Sequence, residues 1–231
     1  MISFVVPAYN EEKYLGPTLA SIHEAARAVG EPYEVVVAND SSTDRTAQIA
    51  EESGARVITV EKRQIAAVRN AGARAAQGDT FFFVDADTRI GPAVLGSALQ
   101  ALRDGAIGGG AGVEMDEGAP AWTHRVMALL LPFFYLMKWA AGCFLFCRRD
   151  AFEAAGGFDE TYYAAEEIHM SQALKRHGRF VILRDRVVTS SRKAEGQSPW
   201  SMLWLMVRLV VRSPLGVKER KHADFWYKVR R

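Results

Sequence analysis

Four short apolar runs, each followed by a stretch of helical periodicity, fill residues 2 to 103, and few folds accept that order. Ile2–Val6 is unbroken, as for a strand covered on both faces. Leu15, Leu19, Ile22, Ala26 and Val29 recur at helical spacing, and Gly30 and Pro32 stop that helix. Tyr33–Ala38 reads as the next strand and Thr43–Ser53 as a helix, with Ser41 or Ser42 as its cap and Gly54 as its end. Strand Arg56–Val60, the Ala-rich helix Ile65–Ala76, strand Thr80–Val84 and helix Pro92–Arg103 complete the series. The order predicts an α/β fold, with a mostly parallel central sheet flanked by helices and right-handed crossovers. Ligands of such sheets bind beyond the carboxyl ends of the strands.

The second half is less regular. Ala106–Met115 reads as a strand after a Gly-rich turn, and Trp122–Trp139 as a helix with a kink or break at Pro132. Gly142–Cys147 is strand-like, Ala164–His177 helical, and Phe180–Leu183 and Val187–Thr189 two short strands. We expect a catalytic domain over 1–197 and an appendage over 198–231. The 231 residues suit this size, and 49% apolar with 24% charged residues excludes a disordered chain. Twenty-nine basic against 27 acidic residues leave a net charge of only +2, so no nucleic-acid partner is expected.

Three polar clusters follow three of the strands: Pro7-Ala8-Tyr9-Asn10-Glu11-Glu12, Asn39-Asp40-Ser41-Ser42-Thr43-Asp44, and Asp85-Ala86-Asp87. Singly they read as a turn, a helix cap and a solvated loop. Together they converge on one crevice. If the backbone of Asp85-Ala86-Asp87 is extended, both carboxylates face one point. Such a pair suits Mg2+ or Mn2+ completed by water and phosphate oxygens, which would neutralise a departing diphosphate.

VVPAYNEE, the Asn39–Asp44 cluster, the run from Arg69-Asn70 through Gly72-Ala73 to Gly78-Asp79, Asp85-Ala86-Asp87, Gly156-Gly157-Phe158-Asp159-Glu160 and Glu166-Glu167 resemble an inverting family 2 glycosyltransferase of the GT-A fold, over roughly residues 2–193. The resemblance implies transfer from a UDP- or GDP-sugar to an acceptor hydroxyl. The acceptor would be a carbohydrate, a lipid-linked molecule or a small molecule. It implies that Asp40 meets the base, that Pro7, Tyr9 and Glu11 wall the nucleotide pocket, and that Asp85 and Asp87 serve ribose and metal. Glu167 would then be the general base, with Glu166 beside it. Two departures stand out. Asn39-Asp40-Ser41-Ser42 replaces the usual Asp-Asp-Gly-Ser, and Glu166-Glu167 replaces the usual Glu-Asp. A related nucleotidyltransferase would carry a Gly-rich basic loop after the first strand, and PAYNEE has none. A non-catalytic nucleotide-sugar-binding protein would need no base.

Arg69 is expected at the nucleotide, with a structural ion pair to Asp85 as the alternative; Arg63 is a weaker candidate. Arg148 and Arg192, each at a strand end, are expected near phosphate or acceptor. His169 shares a helix face with Glu166; Glu-x-x-His is a metal motif in other folds, but here it reads as a helix-face histidine near the acceptor. Cys143 and Cys147 on one strand lie roughly 13 Å apart, too far for a disulfide, which with the absence of a secretory leader suggests a cytoplasmic protein. Neither Val126–Trp139 nor Trp200–Val211 approaches the roughly 20 residues of a membrane span. The Trp-rich helix from Ser198 and its basic, aromatic end suit a peripheral anchor at the inner membrane face, or a helix docked on protein.

Overall fold

The computed structural model describes residues 1–193; the appendage expected over 198–231 lies outside them. Eight strands form one sheet in the order β3-β2-β1-β4-β7-β6-β8-β5. They are β1 (Ile2–Ala8), β2 (Tyr33–Asn39), β3 (Arg56–Thr59), β4 (Thr80–Val84), β5 (Thr88–Arg89), β6 (Ala106–Met115), β7 (Phe144–Arg148) and β8 (Arg179–Thr189). The helices are α1 (Leu15–Val29), α2 (Thr46–Glu52), α3 (Ile65–Ala75), α4 (Pro92–Arg103), α5 (Ala121–Met137), α6 (Arg149–Ala154) and α7 (Glu166–Lys175).

The first four long strands are parallel, as the alternation requires. Beyond β4 the sheet is mixed. β7 runs antiparallel to both β4 and β6, β8 parallel to β6, and β5 antiparallel to β8. Both faces of the strands are covered, which explains why Phe81–Val84 is apolar at every position. Phe82 points with Phe4 and Val6 toward α1 and α4 and stacks on Phe146 at 5.7 Å. Phe81 and Phe83 point to the other face, where Phe83 meets Phe158 edge-on at 4.9 Å. Pro7 is tolerated in a central strand because the β1–β4 ladder ends at Val5–Phe83, where the missing N–H is no longer needed.

Several expectations are corrected. Gly108–Gly110 lie inside β6, not in a turn before it; a Cβ on Gly109 would stand 2.4 Å from the Val181 carbonyl oxygen, so the strands can close only on glycine. α5 continues through Pro132, which is exposed, so the carbonyl it leaves unbonded can reach water. β8 is one strand that absorbs an irregularity opposite Ala111/Gly112. Among the described residues no helix is long and apolar enough to cross a membrane. Cys143 and Cys147 are free, and burial pushes the Cys147 thiol well above its ordinary range, which suits packing and not nucleophilic chemistry.

Candidate active site

The carboxyl ends of β1 and β2 carry two loops that hydrogen-bond to each other. Asn10 N–H donates to Ser42 Oγ (3.0 Å), Thr43 N–H to Asn10 Oδ1 (2.8 Å), Glu11 N–H to Thr46 Oγ1 (2.7 Å) and Glu12 N–H to Asp44 Oδ2 (3.2 Å). Asp44 also accepts from the Thr46 amide at 2.9 Å, at the start of α2. Asp44, and not Ser41 or Ser42, therefore serves the orphan amide there. Burial opposes its charge, but the Thr46 hydroxyl and the two amides outweigh that and hold the carboxyl below its ordinary range. Ser41, where the family pattern has glycine, sits at φ 54° and donates to the Val60 carbonyl at 2.8 Å. The hydrogen bond offsets part of the cost of a left-handed residue.

Asp40 is buried, and both its oxygens accept backbone amides of the loop after β3, from Lys62 at 2.7 Å and Arg63 at 2.8 Å. The Arg63 guanidinium lies 4.2 Å above the Tyr9 ring. Tyr9, Asp40 and Arg63 thus meet beyond the carboxyl ends of β1 and β2, while Pro7 is buried within β1.

Asp85-Ala86-Asp87 is a turn, closed by the Thr88 amide donating to the Asp85 carbonyl at 3.0 Å. The expectation of extended backbone with two converging carboxylates is corrected: each aspartate faces its own arginine. Asp85 Oδ1 accepts from Arg69 at 2.7 Å, while Asp87 Oδ2 lies 2.9 Å from Arg192.

Arg69, on α3, is buried. Its second arm donates to Glu166 at 2.7 Å, and the arm on Asp85 also reaches the Gly142 carbonyl at 2.6 Å. Burial disfavours the charge, yet Asp85 and Glu166 more than restore it, so Arg69 stays a cation. Next to this pair stands Glu167. Burial first, then the negative charge of Glu166, push its carboxyl from 4.5 up to about 8, against the pull of Arg69. Gly142 leaves room for it, since a Cβ there would stand 3.3 Å from the Glu167 carboxyl carbon. Both glutamates open α7 directly after Ala165, whose φ of 65° turns the chain into the helix.

Sequence reasoning missed the residues that hold this region in place. Asn70 exchanges two hydrogen bonds with the backbone of Phe158, at 2.8 and 2.9 Å. Gln64 caps α3 by accepting the Ala67 amide, and its own amide group donates to the Glu160 and Tyr162 carbonyls at 2.6 and 2.8 Å. Tyr162 in turn stacks on His169, ring centroids 3.9 Å apart. A polar side chain just before an Ala-rich helix was the only sequence signal for Gln64.

Glu11 and Arg192 form a bidentate pair, at 2.7 and 2.5 Å, and Arg192 also covers the Tyr14 ring at 4.6 Å. Glu11 therefore meets an arginine and is not a bare pocket wall. The structure brings together Asp85, Arg69, Glu166 and Glu167 in one group and Glu11, Asp87 and Arg192 in another, joined by the Asp85–Asp87 turn. Arg148 stands apart: it pairs with Thr80 at the start of β4, the opposite end of that strand, and forms an exposed ion pair with Asp150. Among the described residues no group of three or more His, Cys, Asp or Glu could hold a metal. Two aspartates on one turn, each already facing a cation, fit a hard divalent ion whose remaining ligands come from phosphate and water.

The chain matches the family described as Glycosyl transferase family 2 over residues 3–156. It is 34% identical over 110 residues to a dolichol-phosphate mannosyltransferase of Pyrococcus furiosus, covering 45% of this chain and 30% of that one. It is 30% identical over 139 residues to an undecaprenyl-phosphate 4-deoxy-4-formamido-L-arabinose transferase of Pseudomonas paraeruginosa, covering 56% of this chain and 41% of that one. The matched stretches are thus less than half the length of these relatives. Among solved structures, S. aureus TarS 1-349 in complex with UDP-GlcNAc is similar at TM-score 0.66 and 24% identity, covering 96% of this chain and 69% of that one. The mannosyltransferase PcManGT of Pyrobaculum calidifontis, in complex with GDP-Man and Mn2+, is similar at TM-score 0.68 and 20% identity, with 98% and 69% covered. These two likenesses are of fold.

Proposed function

Because the chain belongs to glycosyl transferase family 2 and carries the GT-A fold, we propose that it moves a sugar from a nucleoside-diphosphate donor to an acceptor hydroxyl with inversion at the anomeric carbon. One observation carries this reading: buried Arg69 ties Asp85, on the turn that would face the donor, to Glu166, beside a carboxyl held near neutral pKa. Donor end and base end are thereby held in one rigid unit, as a single displacement requires.

Pro7, Tyr9 and Asp40 line the nucleotide side and Asp85 the ribose. Asp87 would hold Mg2+ or Mn2+, with Asp85 beside it. The bound metal would supply charge neutralisation for the departing diphosphate. Arg192, with its planar fork, suits the phosphates. Glu167 takes the acceptor proton, and Glu166 fixes its surroundings through Arg69. Arg148, at the opposite end of β4, has no part in this assignment. TarS with UDP-GlcNAc and PcManGT with GDP-Man and Mn2+ support a UDP- or GDP-sugar and a divalent metal.

The acceptor we propose is lipid-linked. The two curated relatives are named for dolichol phosphate and undecaprenyl phosphate. In this chain α5 leaves Leu129 68% and Leu136 79% exposed, has no acidic residue, carries Arg125 and ends at Lys138. That pattern suits contact with an anionic membrane surface. The test is transfer from UDP- and GDP-sugars to a polyprenyl-linked acceptor that carries a free sugar hydroxyl, with Mn2+ present, reading the anomer by NMR. A product of opposite configuration is expected. Retained configuration refutes the single displacement, and transfer only to water-soluble acceptors refutes the lipid.

A further inference from the structure

Arg192 holds a place that a cation beside Asp87 would claim. Its two arms lie on both oxygens of Glu11 at 2.7 and 2.5 Å, and one arm lies 2.9 Å from Asp87 Oδ2. All three groups are mostly out of water, with side-chain exposures of 17% for Arg192, 12% for Glu11 and 5% for Asp87. One guanidinium therefore faces two carboxylates at close range, in a setting that screens charge poorly. The backbone below it is pinned. Ser190 N–H donates to the Asp87 carbonyl at 3.1 Å, and Ser191 donates through its hydroxyl (2.7 Å) and its amide (3.2 Å) to Asp116. Only the side chain beyond Cβ is free to change partners, and the Tyr14 ring gives it a face to slide over.

We propose that Arg192 is the resident counter-cation of Asp87, so that uptake of a divalent ion at Asp87 and transfer of Arg192 to the phosphates of a nucleoside diphosphate form one coupled exchange. The proposal rests on the reading of this site as a nucleoside-diphosphate site. A divalent ion arriving alone finds Asp87 Oδ2 in use and a fixed positive charge beside it. A diphosphate changes that balance: its oxygens match the guanidinium fork that Glu11 now occupies, and they also serve as ligands to the metal. Each partner then makes room for the other. The protein binds metal weakly without nucleotide and binds the pair tightly, which keeps the carboxylates from retaining a bare ion between turnovers. No bond is made or broken in the exchange.

The test is a Mn2+ titration of the full chain followed by electron paramagnetic resonance of the free ion, alone and with UDP or GDP. Arg192→Gln should bind Mn2+ alone at least tenfold more tightly than the unsubstituted protein. The gain in Mn2+ affinity caused by nucleotide should fall at least tenfold. Arg192→Lys, which keeps the charge, should leave Mn2+ alone as weakly bound as before. Adding Asp87→Asn to Arg192→Gln should remove the new affinity and so locate it. Equal Mn2+ affinity in Arg192→Gln and the unsubstituted protein overturns the proposal, even if nucleotide binding is lost. The unsubstituted protein gives a measurement that needs no variant: an Mn2+ affinity unchanged by a nucleotide that demonstrably binds also overturns it. If neither UDP nor GDP binds to any form, the nucleotide reading falls, while the Arg192→Gln comparison with Mn2+ alone still decides the counter-cation.

Discussion

Glu167 and Arg69 are adjacent groups with opposite demands, and each makes a separate prediction. A base with its carboxyl near pKa 8 works only when deprotonated, so kcat/KM should rise with pH along a limb centred near 8. Glu167→Gln should lose about 10³-fold in kcat and abolish that limb, while donor binding measured by calorimetry stays within a few-fold. Full activity in Glu167→Gln would remove it as the base. Arg69→Met should be costly in another way. It would leave Asp85 and Glu166 without their shared cation, and breaking a buried pair from one side costs about 3–5 kcal/mol. Urea unfolding measures this, and a loss under about 1 kcal/mol would mean that water reaches both carboxylates. At this scale much was legible. The three strand-end clusters, Glu166-Glu167 and the Arg69–Asp85 alternative all stood out in the chain. The pairing of Glu11 with Arg192 did not: each was a candidate by itself, but they are 181 residues apart and nothing local announces that they meet.

Among the elements, β6 and α5 carry the sharpest consequences. Gly109→Ala forces a methyl against the Val181 carbonyl oxygen, a backbone atom that cannot turn aside. Overpacking of that kind costs about 1–3 kcal/mol or more, and a lowered midpoint in thermal unfolding is the readout. An unchanged midpoint would show that β6 and β8 can separate without loss. On α5, Leu129→Glu with Leu136→Glu should reduce co-sedimentation with anionic vesicles while leaving the melting temperature within a few degrees, since both side chains already face outward. Equal pelleting of both proteins would remove α5 as a membrane-contacting face. Periodicity found α5 but left a kink or a break open at Pro132; the helix continues, because a proline breaks a helix only where its lost hydrogen bond has no substitute. The same limit hid β5, a two-residue strand, and α6, a six-residue helix, both shorter than any period can reveal. Arg148 was misplaced because an apolar run such as GCFLFC has no direction: it reads the same whether the strand runs up the sheet or down it.

For the whole molecule, the parallel half was legible because each crossover is local, while the mixed half depends on pairings made far apart in the chain. The net response to pH is also a property of the whole. Glu167 ionises near 4.5 in the unfolded chain and near 8 in the fold, so between those values the folded state holds the extra proton. The stability linked to this group is complete below about pH 4.5 and is lost as pH rises through about 8. Relative to the unsubstituted protein, Glu167→Gln should therefore gain stability between pH 5 and pH 9. A difference that stays constant over that range, measured by urea unfolding, would contradict the assignment.

Helix α3 and its cap residue join the Asp85–Asp87 turn to the segment from Phe158 to Tyr162 through three side chains, and this bears on how the protein could be re-engineered. Arg69 fastens the Asp85–Asp87 turn, while Gln64 and Asn70 fasten the segment from Phe158 to Tyr162. That segment is consequently not an interchangeable cassette. A chimera that takes residues 158–162 from another protein would disturb the backbone partners of positions 64 and 70, and with them the alignment of Arg69 one residue away. Recombination at this site would succeed only if the helix travels with the loop, so the unit of modular exchange spans two stretches roughly ninety residues apart in the chain.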